Sequence, residues 1–147
     1  MSSGTRRPRV VAIIAAGGQG RRFGGTTPKQ MFDLAGRTIL EHSVRAFLSH
    51  PSVDAVVVAL PADLAADPPA FLRGHLKSVR VVDGGERRQD SVANAFAAAS
   101  SDGDVFVIHD AARPFASPAL VTRAIAAAGA NGAAVPTMPV ADTVKTV

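Results

Sequence analysis

Cysteine, tryptophan and tyrosine are all missing from this 147-residue chain, and each absence removes a class of explanation. Without cysteine there is no disulfide, no thiolate metal site and no thiol nucleophile, a composition that suits a reducing cytoplasm. Without tryptophan or tyrosine, phenylalanine alone is left to stack on nucleobases. Nor does any apolar run approach the roughly 20 residues that span a bilayer, so no membrane association is expected. Acid is scarcer than base, 12 residues against 16, which leaves a net charge of +4 and a pI near 10.6. That excess does not read as a nucleic-acid surface. The basic residues are spread along the chain, apart from Arg6, Arg7 and Arg9 in what reads as a loose N-terminal tail. A small anionic substrate accounts for the surplus arginine equally well.

What is present fits one soluble globular domain, with 47% apolar residues, mostly alanine and valine, and a mean hydropathy of +0.18. Arg6–Arg9 followed by VVAIIA resembles a secretion signal, but the apolar run is short and passes straight into GGQGRR. Val10–Ala15 reads instead as a strand buried on both faces.

Strand-like and helix-like segments then alternate. A helix is expected over Thr38–Ser49, with Ile39, His42, Ser43, Ala46 and Phe47 on one face. A strand follows at Asp54–Leu60, then a weak helix at Asp63–Arg73 interrupted by Pro68 and Pro69. Ser78–Val82 is a strand that runs into the Gly84–Gly85 turn, and Ser91–Ala99 is a helix with Asp90 as its N-cap. Asp104–His109 is a strand. Ser117 and Pro118 open a helix that closes at Gly129, and Ala133–Pro136 is a last strand. This alternation specifies an α/β fold, a three-layer Rossmann-like architecture with a mostly parallel sheet and helices on both faces. Ligands of such sheets lie beyond the carboxyl ends of the strands, and the unusual residues of this chain follow its strands.

The first strand enters AAGGQGRRFGGTTPKQ, residues 15–30. Gly17, Gly18 and Gly20 let backbone N–H groups approach phosphate oxygens without intervening Cβ atoms. Arg22 adds a planar fork and Lys29, stiffened by Pro28, a compact point charge, the fixed cations that phosphoryl transfer requires. The Walker A motif is excluded because Lys29 lies between Pro28 and Gln30. A dinucleotide fingerprint, and with it an oxidoreductase, is disfavoured because Phe23 stands where its third glycine belongs.

A second loop, Asp83–Ser91, follows the third strand. Its glycines admit a base edge near the backbone and Ser91 can bond a base or ribose, but on these residues alone a helix cap by Asp90 and Ser91 is the preferred reading. In the third loop, HDAARP, Asp110 can hold the attacking substrate or support a metal ion, and Arg113 can pair with a substrate phosphate. His109 reads as a structural imidazole, because a phosphate nucleophile is already ionised at neutral pH and needs no base.

Gly17-Gly18-Gln19-Gly20-Arg21-Arg22 with Pro28-Lys29-Gln30 resembles the opening motif of sugar-phosphate nucleotidyltransferases, and most closely that of the 2-C-methyl-D-erythritol 4-phosphate cytidylyltransferases. HDAARP matches that family, the Gly84–Ser91 segment is similar to its cytosine- and ribose-reading segment, and Pro139–Lys145 resembles its proline-x-x-Asp-Thr-x-Lys stretch. One departure is Gly17, where the family usually has a second alanine. The resemblance implies a nucleotidyltransferase domain over residues 1–147. It transfers CMP from CTP to 2-C-methyl-D-erythritol 4-phosphate with Mg²⁺ and releases pyrophosphate, in cytoplasmic isoprenoid biosynthesis. In that reading Arg22 and Lys29 are catalytic. Ala16, Gly17, Gly18, Gly20, Lys29, Gly85, Glu86, Ser91, Asp110 and Ala111 bind the nucleotide. Asp110, Arg113 and Thr143 bind the acceptor, a small phosphorylated polyol, and Asp110 also serves the metal. Ribitol 5-phosphate as acceptor, or CTP binding without turnover, are the alternatives.

The family's chain continues past the position matching Val147, through an arm exchanged between the subunits of a homodimer. This chain is therefore expected to be incomplete at its C-terminus, to bind CTP with Mg²⁺ yet turn over slowly, and to dimerise poorly. The Gly84–Ser91 segment predicts a preference for CTP over UTP, ATP and GTP in thermal-shift measurements with each triphosphate. Equal protection by UTP would point to a broader sugar nucleotidyltransferase.

Overall fold

An unbroken run of β-branched and small apolar residues makes Val10–Ala15 a strand, and its burial from both sides makes that strand central. In the computed structural model, which describes residues 6–18, 28–75 and 77–139, the chain runs through β1 (Val10–Ala15), a short hairpin of β2 (Asp33–Leu34) and β3 (Arg37–Thr38), and α1 (Ile39–Leu48). It continues through β4 (Ala55–Leu60), α2 (Ala62–Ala66), β5 (Ser78–Asp83), α3 (Arg88–Ala99), β6 (Val105–Asp110) and α4 (Pro118–Asn131). The four longer strands form one parallel sheet in the order β5-β4-β1-β6. Ala12 of β1 stands beside Val56 of β4 on one side and Val107 of β6 on the other.

Alternate residues of each strand serve opposite faces. Val10, Ala12 and Ile14 join Val56, Val58 and Leu60 against Leu40, Val44 and Phe47 of α1 and Val121 of α4. On the other face Val11, Ile13 and Val57 meet Ala95 and Ala99 of α3, whose small side chains let the helix lie close to the sheet. Helices therefore cover both faces, as expected. Each fully buried valine, leucine, isoleucine or phenylalanine contributes about 1.5–3 kcal/mol by leaving water.

Several local expectations are corrected. Ser43 and Phe47 of the expected α1 face are buried and Ala46 packs against the core, but Leu40 and Val44 complete the buried face in place of Ile39 and His42. The hairpin takes up the latter side: Leu34 O lies 2.7 Å from His42 Nε2, and Ile39 N–H donates to Phe32 O. Pro68 and Pro69 divide the weak helix into α2 and a 3₁₀ turn at Ala70–Leu72. Helix α3 begins three residues early, with Arg87 at the N-cap. Asp90 is its third residue, reaching back to the Arg87 N–H at 3.1 Å. Helix α4 starts at the Ser117 cap as expected but passes Gly129 and stops at Gly132, whose φ of 83° suits glycine. Residues 133–139 form no strand; they make no ladder with any described strand, and Val135 and Met138 are exposed. None of the helices among the described residues is long and apolar enough to cross a membrane.

The N-terminal arginines are pinned rather than loose from Arg6 onward. Arg6 pairs with Asp104 and Arg7 with Asp54. The same two carboxylates accept the N–H groups of Arg9 and Val10 at 2.7 and 2.8 Å, tying the start of β1 to its neighbours. Burial on its own would raise the pKa of Asp54, but the Val10 N–H, Arg7 and the charge of Arg9 outweigh it and hold the carboxyl below its ordinary value. Asp54→Ala should therefore reduce the unfolding free energy at neutral pH by about 1–3 kcal/mol in urea denaturation. With the folded pKa below the unfolded one, the ionic contribution is whole above pH of about 4 and is lost as pH falls through the folded value. Wild-type and variant midpoints should run parallel from about pH 7 to 5 and converge below about 4. An undiminished gap in strong acid would show that charge is not the cause.

Candidate active site

Three loops leave the carboxyl ends of β1, β5 and β6, and each is held to the sheet at its root by one further backbone bond. Ala16 N–H donates to Ala59 O at 2.9 Å, Gly84 N–H to Leu60 O at 2.6 Å and Ala111 N–H to Ala15 O at 3.0 Å. The first two loops then touch. A Cβ on Gly84 would lie 2.7 Å from Gly17 Cα and 3.0 Å from Leu60 O; one on Gly85 would lie 2.2 Å from Asp90 Cβ. Glycine is needed at 84 and 85 because backbone packs on backbone there. A Cβ on Gly17 would lie 2.4 Å from Ser91 Oγ, so the alanine usual at this position in the cytidylyltransferases would require that hydroxyl to move. Gly18 has open space on the side where a Cβ would stand and is exposed.

The polar side chains buried among the described residues are Gln30, Ser43, His50 and Ser91, and three of them each hold one loop. Gln30 Nε2 donates to Ala16 O at 2.7 Å and to Gly18 O at 3.1 Å in the first loop. Ser91 Oγ accepts the Gly85 N–H at 3.0 Å in the second. Ser43 Oγ donates to Ala111 O at 2.7 Å in the third. His50 instead joins the end of α1 to the start of α4, through Thr122 Oγ1 at 3.0 Å. Ser91 is therefore not the helix cap that its residues alone suggested: it is the fourth residue of α3 and spends one of its two lone pairs on the Gly85 N–H of the loop before the helix. Ser43 and Gln30 were visible in the sequence, as a hydroxyl on an apolar helix face and an amide after Lys29, but neither spacing names a loop carbonyl as partner.

Charge gathers where the second and third loops meet. Asp110 Oδ1 accepts from Arg88 Nε at 2.6 Å and Oδ2 pairs with Arg113 Nε at 3.1 Å, leaving the carboxylate partly exposed between two exposed guanidinium groups. Sequence reasoning chose Asp110 and Arg113 and missed Arg88, which lies in a run of polar residues with no pattern of its own. His109 faces inward. Its Nε2 lies 2.9 Å from Arg113 O, and its ring centroid is 4.9 Å from that of Phe47. Burial lowers its pKa more than the Arg113 carbonyl and Asp110 raise it, so it is neutral at pH 7, a structural imidazole.

Lys29 is exposed on the 3₁₀ turn Lys29–Met31, immediately before the buried Gln30. Glu86 is exposed at the tip of the second loop. Gly20, Arg22 and Thr143 lie outside the described residues. No cluster of three or more His, Cys, Asp or Glu side chains able to cage a metal occurs among the described residues. Mg²⁺, commonly held by one or two carboxylates with substrate phosphates and water, would have to share Asp110 with Arg88 and Arg113, which take both its oxygens.

Residues 10–147 match the family described as IspD: 2-C-methyl-D-erythritol 4-phosphate cytidylyltransferase. The bifunctional enzyme IspD/IspF of Anaeromyxobacter dehalogenans is 47% identical over 140 residues, covering 95% of this chain and 35% of that protein. A crystal structure of 4-diphosphocytidyl-2C-methyl-D-erythritol synthase is similar with a TM-score of 0.77 and 29% identity, over 97% of this chain and 65% of that one. The Francisella tularensis 2-C-methyl-D-erythritol 4-phosphate cytidylyltransferase gives a TM-score of 0.64 at 28% identity, over 84% and 53% of the two chains. The chain spans about a third of the length of the curated relatives it matches. A match over nearly every residue from β1 onward, on a sheet whose three loops converge as described, places the chain in the IspD family.

Proposed function

We propose that the chain is a cytidylyltransferase that joins CMP from CTP to 2-C-methyl-D-erythritol 4-phosphate. The observation that carries this reading is the meeting of three loops at one end of the sheet, Gly17 against Gly84 and Arg88 against Asp110. Glycine backbone, exposed cations and one carboxylate together suit a polyphosphate ester with its metal.

An oxygen of the acceptor phosphate attacks the α-phosphorus of CTP in line. The new P–O bond forms as the bond to the β-phosphate oxygen breaks, and pyrophosphate leaves. Asp110 would hold the Mg²⁺, with phosphate oxygens and water completing its shell, and the ion would supply positive charge for the pyrophosphate that leaves. Lys29 and Arg22 balance the charge on the equatorial oxygens. Arg113, with Thr143, takes the acceptor phosphate. Gly85 and Glu86 set the base and ribose against the second loop, while Ser91 holds that loop in place. The attacking phosphate is ionised at neutral pH, which fits a His109 committed to Arg113 O and Phe47 rather than to proton transfer. CTP, a small phosphorylated polyol and a second copy of the chain are the proposed partners, in the cytoplasm; neither nucleic acid nor membrane is among them.

Pyrophosphate release with CTP, tested with methylerythritol phosphate and with ribitol 5-phosphate in parallel, examines this reading. Release with ribitol 5-phosphate alone would overturn the acceptor. Lys29→Ala should reduce turnover about a hundredfold or more with a smaller loss of CTP affinity, because a transition-state donor is worth roughly 2.7–4 kcal/mol. Collapse of affinity with turnover intact at saturation would make Lys29 a ground-state binder instead. Gly84→Ala forces the first two loops apart and should weaken CTP binding by about tenfold or more, as overpacking typically costs 1–3 kcal/mol. Unchanged affinity in calorimetry would mean that the contact is not part of the pocket.

A further inference from the structure

Gln30 carries a role beyond the reading above. It is 6% exposed, yet its side chain is a polar amide at the sheet's carboxyl end, against the Ala16–Gly18 root of the first loop. Burying such a group is unfavourable unless its hydrogen bonds are met, and here its Nε2 meets two carbonyls of one loop, those of Ala16 and Gly18. Carbonyl oxygens that faced a bound polyphosphate would repel it. Turned toward Gln30, they are removed from that side.

The trans peptide makes the consequence directional. Its C=O and N–H point opposite ways, so fixing Ala16 O on Gln30 sends the Gly17 N–H away from Gln30. The preceding peptide is fixed as well, because Ala16 N–H donates to Ala59 O at 2.9 Å. Gln30 also locates its neighbour. It sits in a closed 3₁₀ turn, in which Met31 N–H donates to Pro28 O at 2.8 Å and Phe32 N–H to Lys29 O at 3.2 Å. Anchoring the Gln30 side chain on the glycine loop therefore fixes the residue whose Cα lies about 3.8 Å from that of Lys29.

We infer that Gln30 is a positioning residue for polyphosphate binding: its amide turns the Ala16 and Gly18 carbonyls inward and sets Lys29 beside the loop it serves. The inference rests on the reading of this loop as a phosphate cradle. It assigns Gln30 the phosphate half of the nucleotide and leaves the base half to the second loop.

Calorimetry of the chain with magnesium tripolyphosphate, magnesium CTP, magnesium UTP and cytidine tests it, using the wild type, Gln30→Met and Gln30→Glu. Gln30→Met keeps the length and burial but has no donor. It should weaken tripolyphosphate and CTP by about tenfold, the equivalent of two lost hydrogen bonds, and leave cytidine unchanged. Gln30→Glu presents a carboxylate to two carbonyls at about pH 7.5, and should regain much of its tripolyphosphate affinity near pH 5 as the buried carboxyl takes up a proton and can donate again. Should Gln30→Met fail to unfold cooperatively on heating, that recovery carries the decision by itself. Equal losses for cytidine and tripolyphosphate would reveal a merely structural residue and overturn the proposal. So would wild-type tripolyphosphate affinity in folded Gln30→Met, or a Gln30→Glu defect independent of pH. Tripolyphosphate binding without preference for CTP over UTP would remove the cytidylyltransferase reading and leave the role of Gln30 standing. A wild type that binds no polyphosphate would remove both.

Discussion

The parallel pairing of β1 with β4 on one side and β6 on the other is the constraint on which the remaining structure depends. The register brings Ala15 level with Ala59 and with Asp110, so the first and third loops leave the sheet at the same height. Leu60 opposite Asp83 brings the second loop to that height one strand further out. A slip of one residue in β1 would exchange the set Val10, Ala12, Ile14 with the set Val11, Ile13 between the two cores. The same slip would carry Gly17 away from Gly84. Hydrophobic burial and loop placement are thus one decision.

Height alone does not shape a site, since backbone beyond a strand end has many conformations. That freedom is removed by side chains reaching up from the helical layers. Ser43 comes from α1 on one face and Ser91 from α3 on the other, while Gln30 follows the first loop and closes back on its root. Each is buried and each holds backbone groups of its loop. The ion pairs of Asp110 lie outside these fastenings, in reach of solvent.

The sheet was legible in the sequence because buried parallel strands must be continuously apolar, and VVAIIA and AVVVAL admit little else. The loops were legible through glycine and clustered charge, which strands buried on both faces disfavour. Tertiary partners decided what was missed. Ile39 and His42 satisfy a helical period as well as Leu40 and Val44 do, and only the two-residue strands of the hairpin, too short to leave a pattern, decide which face is covered. Asp90 has the composition of an N-cap, but Arg87 offers both a cap position and a guanidinium for Asp90 to bind, so the helix starts earlier. Ala133–Pro136 has strand composition, but a strand exists only where a partner supplies the ladder. The roles of Gln30 and Arg88 were not legible because their partners, two loop carbonyls and the carboxylate of Asp110, are set by the fold and leave no spacing in the sequence.

The fastenings are an amide and two hydroxyls, none of which titrates between about pH 5 and 8. The groups turned toward solvent around them, Lys29, Arg88, Asp110 and Arg113, are all formally charged. Added salt screens exposed charges over a length of about 8 Å at physiological strength, but it has little purchase on buried neutral hydrogen bonds. Ionic strength is therefore expected to change the attraction of these exposed charges for the proposed polyanion and to leave the buried fastenings of the loops little affected.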